Sequence, residues 1–456
     1  MSKPRRGDSF VVTIESLDEK GQGIGQIGEY AVYVRGALPG DQVQVVARRV
    51  RSRQRRIDAR KVSLIESDID RMTPVCTHFG LCGGCSWQDI PYNTQVEMKQ
   101  QLLNCCLDSV GIDIAQDEPL GVDVPFYYRN KMEFSFGTSP QQDVELGLHI
   151  PGRFDRVFDL EACHLQSEYS NGIVTFVRKF VKEKNLSVYH LKRHEGLLRF
   201  LTVREGKNTD EIMVVLTTSG EACADIEELA NVLCAEFPNV KSVVHAINRR
   251  KAQVAFGDEE IVAAGDGAIQ ERLGEFTFKI SPQSFFQTNT LQAEKLYRRV
   301  VELADMKAEE RVLDVYCGTG SISAFLAQKA KAVLGIEVSD AAVADAVRNT
   351  AANDLDNCQF MAGRAEVILR QLVTQGDRFE VAVTDPPRSG MHPKARDALI
   401  ALRPGRVVYV SCNPKALAED LRYFCEAGYE VDYMQLVDMF PHTPHCEVLA
   451  RIVDMA

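Results

Sequence analysis

The chain has 456 residues, 45% hydrophobic and 26% charged, which is typical of a globular protein with room for two or three domains. No apolar run is long enough to span a membrane, and the opening MSKPRRGDSF lacks the apolar core of a secretory signal, so we expect a cytoplasmic protein. The net charge of −11 would by itself argue against nucleic-acid binding.

Residues 1–66 predict a small basic β domain. Short runs with partial alternation, such as SFVVTIESL and YAVYVRG, are separated by glycines and predict about five strands that close a barrel. The region holds 13 Lys and Arg against 8 Asp and Glu, and its last strand runs into the arginine-rich segment 48–61. Such a run is often a solvated strand edge, but this arginine density favours RNA phosphate binding. The pattern resembles a TRAM domain, an OB-like RNA-binding barrel.

Residues 67–270 mix helix-like and strand-like segments and predict an α+β domain that opens with a compact cysteine motif. The motif is Cys76, five residues, Cys82, two glycines and Cys85. In a large chain without a signal peptide, clustered cysteines indicate metal binding or catalysis more often than disulfides. Cys163 is the best candidate for a fourth ligand, with Cys105 and Cys106 as alternatives on a predicted helix. Zinc is one interpretation, although zinc sites usually combine two pairs of cysteines that are each separated by two to four residues, and no second pair is present.

Residues 271–456 alternate strands and helices and predict a doubly wound parallel sheet, so the fold class is α/β. The first strand leads to Asp314 and the turn Gly318-Thr-Gly320, and the second ends at Glu337, where a carboxylate can bind ribose hydroxyls. An NAD site is the alternative, but the third dinucleotide-type glycine is missing. The order of these motifs, followed by Asp-Pro-Pro, resembles class I S-adenosylmethionine methyltransferases, with Tyr316 where a further glycine is usual.

Cys412 stands at the carboxyl tip of the fourth strand, in Ser-Cys-Asn-Pro, where side chains face the ligand crevice of such a sheet. A buried structural thiol is the alternative interpretation. The third strand ends in Asp385-Pro-Pro-Arg388. An aromatic residue usually follows this motif in enzymes that methylate exocyclic amines, and RNA cytosine-5 enzymes carry their nucleophilic cysteine in it. Neither is present here, so Cys412 is the candidate nucleophile.

Methylation of uracil at carbon 5 requires a thiolate that adds at carbon 6, which turns carbon 5 into the attacking atom, and a base that later removes the carbon-5 proton. Glu447, in His445-Cys446-Glu447 next to the final strand, is the candidate base. A surface glutamate is the alternative interpretation.

Together these features resemble the RNA uracil-5 methyltransferases over nearly the full chain. The resemblance implies that Cys412 is the nucleophile and Glu447 the proton acceptor. It implies S-adenosyl-L-methionine as cofactor, contacted by Gln287 of the Ser-Phe-Phe-Gln turn, Tyr316, Ser321, Glu337, Arg364 and Asp385. It implies a 4Fe–4S cluster bound by Cys76, Cys82, Cys85 and Cys163, and it places Asn130 and Lys131 near the RNA, with a solvated strand edge as the alternative.

The domain set favours the bacterial 23S ribosomal RNA branch of that family, with a TRAM-like barrel (1–66), a central iron–sulfur domain (67–270) and a Rossmann-like methyltransferase domain (271–456). The expected partner is 23S rRNA, without a membrane or protein partner. A tRNA uracil-5 methyltransferase with the same chemistry is the first alternative. A radical enzyme is disfavoured because its cysteine spacing differs, and a non-catalytic RNA chaperone is disfavoured by the intact Cys412 and Glu447.

Overall fold

The computed structural model describes residues 4–18, 20–153, 155–220 and 224–455. The amino-terminal part is a closed barrel, as the sequence predicts, with strand order β1-β2-β3-β5-β4. Its strands are β1 (Ser9–Leu17), β2 (Gly23–Ile27), β3 (Tyr30–Val34), β4 (Asp41–Arg51) and β5 (Arg56–Ser67). Alternate residues point inward and fill the barrel with small apolar side chains, among them Val12, Val32, Val43 and Ile57.

The arginine-rich segment 48–61 differs from its prediction. It is not the continuation of a last strand but a hairpin, formed by the end of β4, a short 3-10 turn at Ser52–Gln54 and the start of β5. Arg55, in the left-handed conformation at φ 47°, closes the turn. The hairpin therefore presents its arginines from two paired strands and from the turn between them.

Two elements follow the barrel, α1 (Tyr92–Asp108) and β6 (Asp117–Leu120). A seven-stranded sheet comes next, in the order β13-β12-β11-β10-β7-β8-β9. Its strands are β7 (Lys131–Thr138), β8 (Val144–His149), β9 (Val157–Asp159), β10 (Leu198–Glu205), β11 (Ile212–Thr218), β12 (Val240–Ile247) and β13 (Glu259–Gly265), and α2 (Glu168–Glu183) and α3 (Ala224–Glu236) accompany them. Both faces of β11 are buried: Val214 packs with the residues of α2 and α3, while Met213 and Val215 pack with the carboxyl-terminal part.

The carboxyl-terminal part has the Rossmann-like α/β arrangement that the sequence predicts. A hairpin, β14 (Ile269–Leu273) and β15 (Phe276–Ile280), precedes it. Its further strands are β16 (Arg311–Val315), β17 (Ala332–Glu337), β18 (Cys358–Ala362), β19 (Val381–Thr384), β20 (Arg406–Ser411), β21 (Tyr429–Val437) and β22 (Glu447–Asp454). Its helices are α4 (Thr290–Ala304), α5 (Ser321–Ala327), α6 (Asp340–Ala352), α7 (Ala365–Gln375), α8 (Pro393–Leu402) and α9 (Pro414–Glu426).

The sheet order is β18-β17-β16-β19-β20-β22-β21-β6, and β16 to β20 are parallel. Two elements from the segment 67–270 belong to this layer: β6 pairs with β21 at the edge of the sheet, and α1 packs on α9. The domain boundaries proposed from the sequence stay a prediction. None of the helices in the described part of the chain has the length and apolar character that crossing a bilayer requires.

The loop 438–446, which leads into β22, is held by α1. Lys99 and Asp438 are fully buried and form an ion pair, with Nζ 2.6 Å from Oδ1, and Lys99 also donates to the carbonyl of Phe440 at 3.1 Å. The side chain of Gln95 is also buried, and its Oε1 accepts from the His442 N–H at 2.7 Å. The amino-terminal third of the chain therefore fixes a loop close to the end of the last strand.

We expect Lys99→Met to lower the free energy of unfolding by about 3–5 kcal/mol, because it leaves the Asp438 carboxylate buried without a cation. Chemical denaturation monitored by fluorescence measures the change. Lys99→Met/Asp438→Leu, which removes both charges, should recover much of the loss. If Lys99→Met were as stable as the wild type, the ion pair of Lys99 and Asp438 would not be what holds the loop.

Candidate active site

One cavity of about 1130 Å³ opens at the carboxyl ends of the parallel strands. Its lining includes Tyr316, directly after β16, Glu337, at the end of β17, and Asp385, directly after β19. Cys412 and Glu447 line it as well. Ligand crevices of open α/β sheets lie at this edge. The predicted nucleophile, the predicted base and three of the predicted cofactor contacts thus line the same cavity.

Strand register explains why Cys412 and Glu447 are neighbours. β20 and β22 are antiparallel, and Ser411 is paired with Val448. Continuing this register by one residue on each strand places Cys412 opposite Glu447. The sequence places these two residues 35 positions apart, and only the antiparallel return of β22 brings them together.

The residues around Cys412 fix its loop. The Asn413 side chain caps α9 by accepting from the Lys415 N–H at 3.2 Å, and its Nδ2 donates to the Arg388 carbonyl at 2.8 Å. The Ser411 hydroxyl accepts from the Asn413 N–H at 3.2 Å. The Ser-Cys-Asn-Pro motif therefore ties the turn after β20 to the Asp-Pro-Pro-Arg turn after β19, which fixes the backbone of the thiol.

The electrostatic surroundings keep the Cys412 thiol protonated at neutral pH. Burial and, to a smaller extent, the nearby carboxyl groups of Glu447 and Asp385 raise its pKa to about 11, while the Arg388 guanidinium opposes them. The thiol therefore needs a proton acceptor before it can attack, and the two carboxyl groups beside it can accept that proton.

Asp385 and Glu447 form a buried acidic pair. Burial raises the pKa of both carboxyl groups, the charge of Asp385 adds to the effect at Glu447, and Arg388 counteracts it there. Glu447 Oε2 is buried and has no hydrogen-bond partner among the described residues. Buried polar atoms are nearly always satisfied, so an unpaired carboxylate oxygen in a cavity points to a ligand.

The cofactor side of the cavity is shaped by the turn after β16. Tyr316, Gly318 and Gly320 have positive φ angles of 69°, 55° and 78°, so the backbone turns sharply and opens space beside Glu337. Glu337 accepts from the Gly318 N–H at 3.2 Å and from the Ser339 N–H at 2.9 Å. Asp314 does not line the cavity; it accepts from the Ser323 hydroxyl of α5 at 2.5 Å and braces the turn.

The other predicted positions fall in different places. Gln287 lines the cavity, and Arg364 lies exposed at its rim, paired with Glu366 at 2.6 Å. Ser321 does not line the cavity, and its hydroxyl donates to the hydroxyl of Tyr297, a residue of α4, at 3.3 Å.

Asn130 and Lys131, the pair predicted to lie near the RNA, have different surroundings. Asn130 is buried, 5% exposed, and its Nδ2 donates to the Gln287 carbonyl at 2.7 Å and to Thr290 Oγ1 at 2.9 Å. It therefore supports the turn that carries Gln287 and is not a solvated strand edge. Lys131 pairs with Glu133 at 2.6 Å.

Among the lining residues to which the sequence assigned no role are Arg129, Phe285 and His445. Phe285 is 65% exposed although its neighbour Phe286 is buried in the core. Burial and the cation of Arg388 lower the pKa of His445, so its imidazole is neutral at pH 7. In the sequence, the adjacent Phe285 and Phe286 could have indicated this contact, because an aromatic ring among polar residues is often a ligand contact.

A second cavity, of about 450 Å³, is lined by Cys76, Cys82, Cys85 and Cys163. Cys105 and Cys106 do not line it. In the described part of the chain no three His, Cys, Asp or Glu side chains lie close enough together to bind a single metal ion.

The thiols of this cavity influence one another and accept hydrogen bonds. Burial raises the pKa of Cys85 to about 12, and its three cysteine neighbours contribute in the same direction. The Gly84 N–H donates to Cys82 Sγ at 3.3 Å, and Gln88 Nε2 donates to Cys85 Sγ at 3.7 Å. Such donors stabilise thiolates, so the cavity is suited to a group that binds sulfur.

Comparison with known proteins gives consistent matches. Residues 170–452 match the family model described as tRNA (Uracil-5-)-methyltransferase, and residues 4–54 match the TRAM domain. An uncharacterized RNA methyltransferase of Clostridium tetani is 36% identical over 98% of this chain and 96% of its own length. One of Chlorobaculum tepidum is 38% identical over 98% of this chain and 96% of its own.

Among solved structures, the Pyrococcus abyssi tRNA (uracil-54, C5)-methyltransferase in complex with S-adenosyl-L-homocysteine is 29% identical, with a TM-score of 0.76. The match covers 97% of this chain and 100% of that one. The similarity therefore extends from the barrel to the last strand.

Proposed function

Because the chain belongs to the tRNA (uracil-5-)-methyltransferase family, we propose that it methylates carbon 5 of one uracil in 23S ribosomal RNA. It is an RNA methyltransferase that uses S-adenosyl-L-methionine. The observation that carries the proposal is the shared cavity of Cys412, Asp385 and Glu447 beside the turn after β16.

In the proposed reaction, Cys412 gives its proton to the Asp385 carboxylate, which leaves Glu447 deprotonated, and the sulfur of Cys412 adds to carbon 6 of the uracil. The electrons of the broken double bond then make carbon 5 the nucleophile. Bound S-adenosylmethionine supplies the methyl group. Glu447 removes the proton from carbon 5, the double bond re-forms, and Cys412 leaves as a thiolate. The buried, unpaired Oε2 of Glu447 supports its assignment as the base.

Further assignments are part of the same proposal. Gln287, Tyr316, Glu337, Arg364 and Asp385 would hold the cofactor, which their positions in the cavity support. Ser321 would contribute through α5, without lining the cavity. Residues 1–66 would bind RNA, 67–270 would hold the cysteine cluster, and 271–456 would carry out the transfer.

Nucleoside analysis tests the substrate. The protein is incubated with labelled S-adenosylmethionine and RNA from cells that lack 5-methyluridine, and the ribosomal and transfer RNAs are digested separately. We expect labelled 5-methyluridine in 23S rRNA. Label in tRNA would favour the second candidate, which the full-length match to the Pyrococcus abyssi tRNA enzyme supports. A different methylated nucleoside would contradict the uracil-5 chemistry.

We expect the rate of methylation to rise steadily with pH between about 6 and 9. The reactive forms are the deprotonated ones, and the pKa values of Cys412, Asp385 and Glu447 are all raised, so the active fraction is lost as the pH falls. Single-turnover rates with RNA in excess measure the profile. A rate that is flat or falls over this range would contradict the protonation states proposed here.

We also propose that Cys76, Cys82, Cys85 and Cys163 bind a 4Fe–4S cluster, because all four line one cavity. In such a cluster each thiolate binds a different iron, so the ligands stand further apart than around a single ion. The donors to Cys82 and Cys85 support this assignment.

Protein purified without oxygen is expected to be brown and to contain about four iron atoms per chain. Cys82→Ser should lose the colour, whereas Cys105→Ser, an exposed cysteine on α1, should keep it. Iron and zinc analysis with absorption spectra distinguishes the cases. A colourless wild type with one bound zinc would contradict the cluster.

A further inference from the structure

A second groove leaves the active-site cavity between α7 and α8. Its volume is about 520 Å³, and it is lined by exposed residues of α7 and by Arg364, Glu366, His392 and Lys394. The α7 residues 367, 370, 371 and 374 lie on one face of that helix, because they are spaced three or four positions apart. The opposite face, with Ile368, Leu369 and Leu372, is buried in the core.

The groove is positively charged although the chain as a whole carries −11. The carboxylate of Glu366 is paired with Arg364 at 2.6 Å. Arg370 and Lys394 are exposed, and neither forms an ion pair with any residue that the structure describes. Two cations are thus available to an anionic ligand, and among the described residues no further acidic side chain lines the groove.

The groove is continuous with the proposed reaction site. Arg364, Glu366 and His392 line both the groove and the active-site cavity. α7 and α8 also begin at this shared rim, so the positive ends of both helix dipoles lie there. A polyanion that enters the cavity with one nucleotide would meet positive potential along this path.

We propose that the groove binds the sugar–phosphate backbone of the RNA strand beside the target uracil. This inference rests on the proposed function and extends it by assigning a path to the strand. An enzyme that acts on a base needs the flanking backbone held while that base enters the site. Exposed Arg and Lys side chains, without sequence-reading contacts, are typical of such phosphate binding.

The test is Arg370→Gln/Lys394→Gln in the full chain. The control is Lys329→Gln/Lys331→Gln, which removes the same charge from exposed residues before β17, at the opposite edge of the sheet. Binding of a fluorescein-labelled 20-nucleotide oligouridylate is measured by anisotropy at several salt concentrations. Binding of S-adenosylhomocysteine is measured by calorimetry.

The groove variant is expected to bind the RNA about tenfold more weakly, and its salt slope is expected to fall by about 1.4, since each phosphate contact contributes about 0.7 on a single strand. S-adenosylhomocysteine affinity should stay that of the wild type. Loss of cofactor affinity with unchanged RNA binding, or an RNA effect no larger than that of the control, would overturn the inference. Because this assay needs no turnover, failure of the wild type to methylate uracil would count against the proposed function alone.

Discussion

Cys412→Ala is expected to lower the rate of methyl transfer by at least about a thousandfold, to below detection, because no other thiol lines the active-site cavity among the described residues. The same variant should form no covalent complex with RNA. With 5-fluorouracil RNA and S-adenosylmethionine, the wild type should form a stable complex, since the base cannot remove fluorine from carbon 5 as it removes a proton. A denaturing gel separates the complex from free protein.

The matched control is Cys425→Ala, an exposed cysteine of α9 outside the cavity. It should form the complex as the wild type does. A complex that persists in Cys412→Ala would identify another nucleophile. If the wild type formed no complex with 5-fluorouracil ribosomal RNA or transfer RNA, covalent catalysis would be contradicted.

Glu447→Gln is expected to lower turnover by about a hundred- to ten-thousandfold, the usual contribution of a positioned base. The defect should differ in kind from that of Cys412→Ala. The amide keeps the shape of the buried side chain but cannot take the carbon-5 proton, so the methylated adduct should accumulate on ordinary uracil RNA. Labelled methyl groups that migrate with the protein on a denaturing gel measure this trapped species.

The control is Glu430→Gln on β21, where the carboxyl group is exposed and lies outside the cavity. Turnover of Glu447→Gln within about tenfold of the wild type would exclude it as the base. The buried carboxyl group of Asp385, which lies beside Cys412, would then be the next candidate for the base.

The sequence predicted the parts of the fold that depend on local pattern. Alternating strands with glycine turns led to the barrel, and buried strands alternating with helices led to the Rossmann-like sheet. The sequence also predicted the cavity residues at strand ends, which are Tyr316, Glu337, Asp385 and Cys412. The carboxyl ends of parallel strands meet at one edge of the sheet regardless of the conformation of the loops.

What the sequence did not predict depends on contacts between distant segments. β6 joins the carboxyl-terminal sheet by pairing with β21, which no local pattern indicates. Asn130 is polar and next to a strand, and only its bonds to Gln287 and Thr290 explain its burial. The hairpin at residues 48–61 was missed since consecutive arginines hide the turn at Ser52–Gln54.

The contacts that hold loop 438–446 also determine when the active site can form during synthesis of the chain. Ser86 and Trp87, directly after Cys85, both donate their N–H groups to the His442 carbonyl, at 2.8 and 3.0 Å. Gln95 and Lys99 complete the hold from α1. These contacts can form only after a partner more than 330 positions later in the chain has been synthesised. A fragment starting at residue 271 would therefore contain Cys412 and Glu447 but lack the support of the loop between β21 and β22, so partial chains should be inert towards RNA.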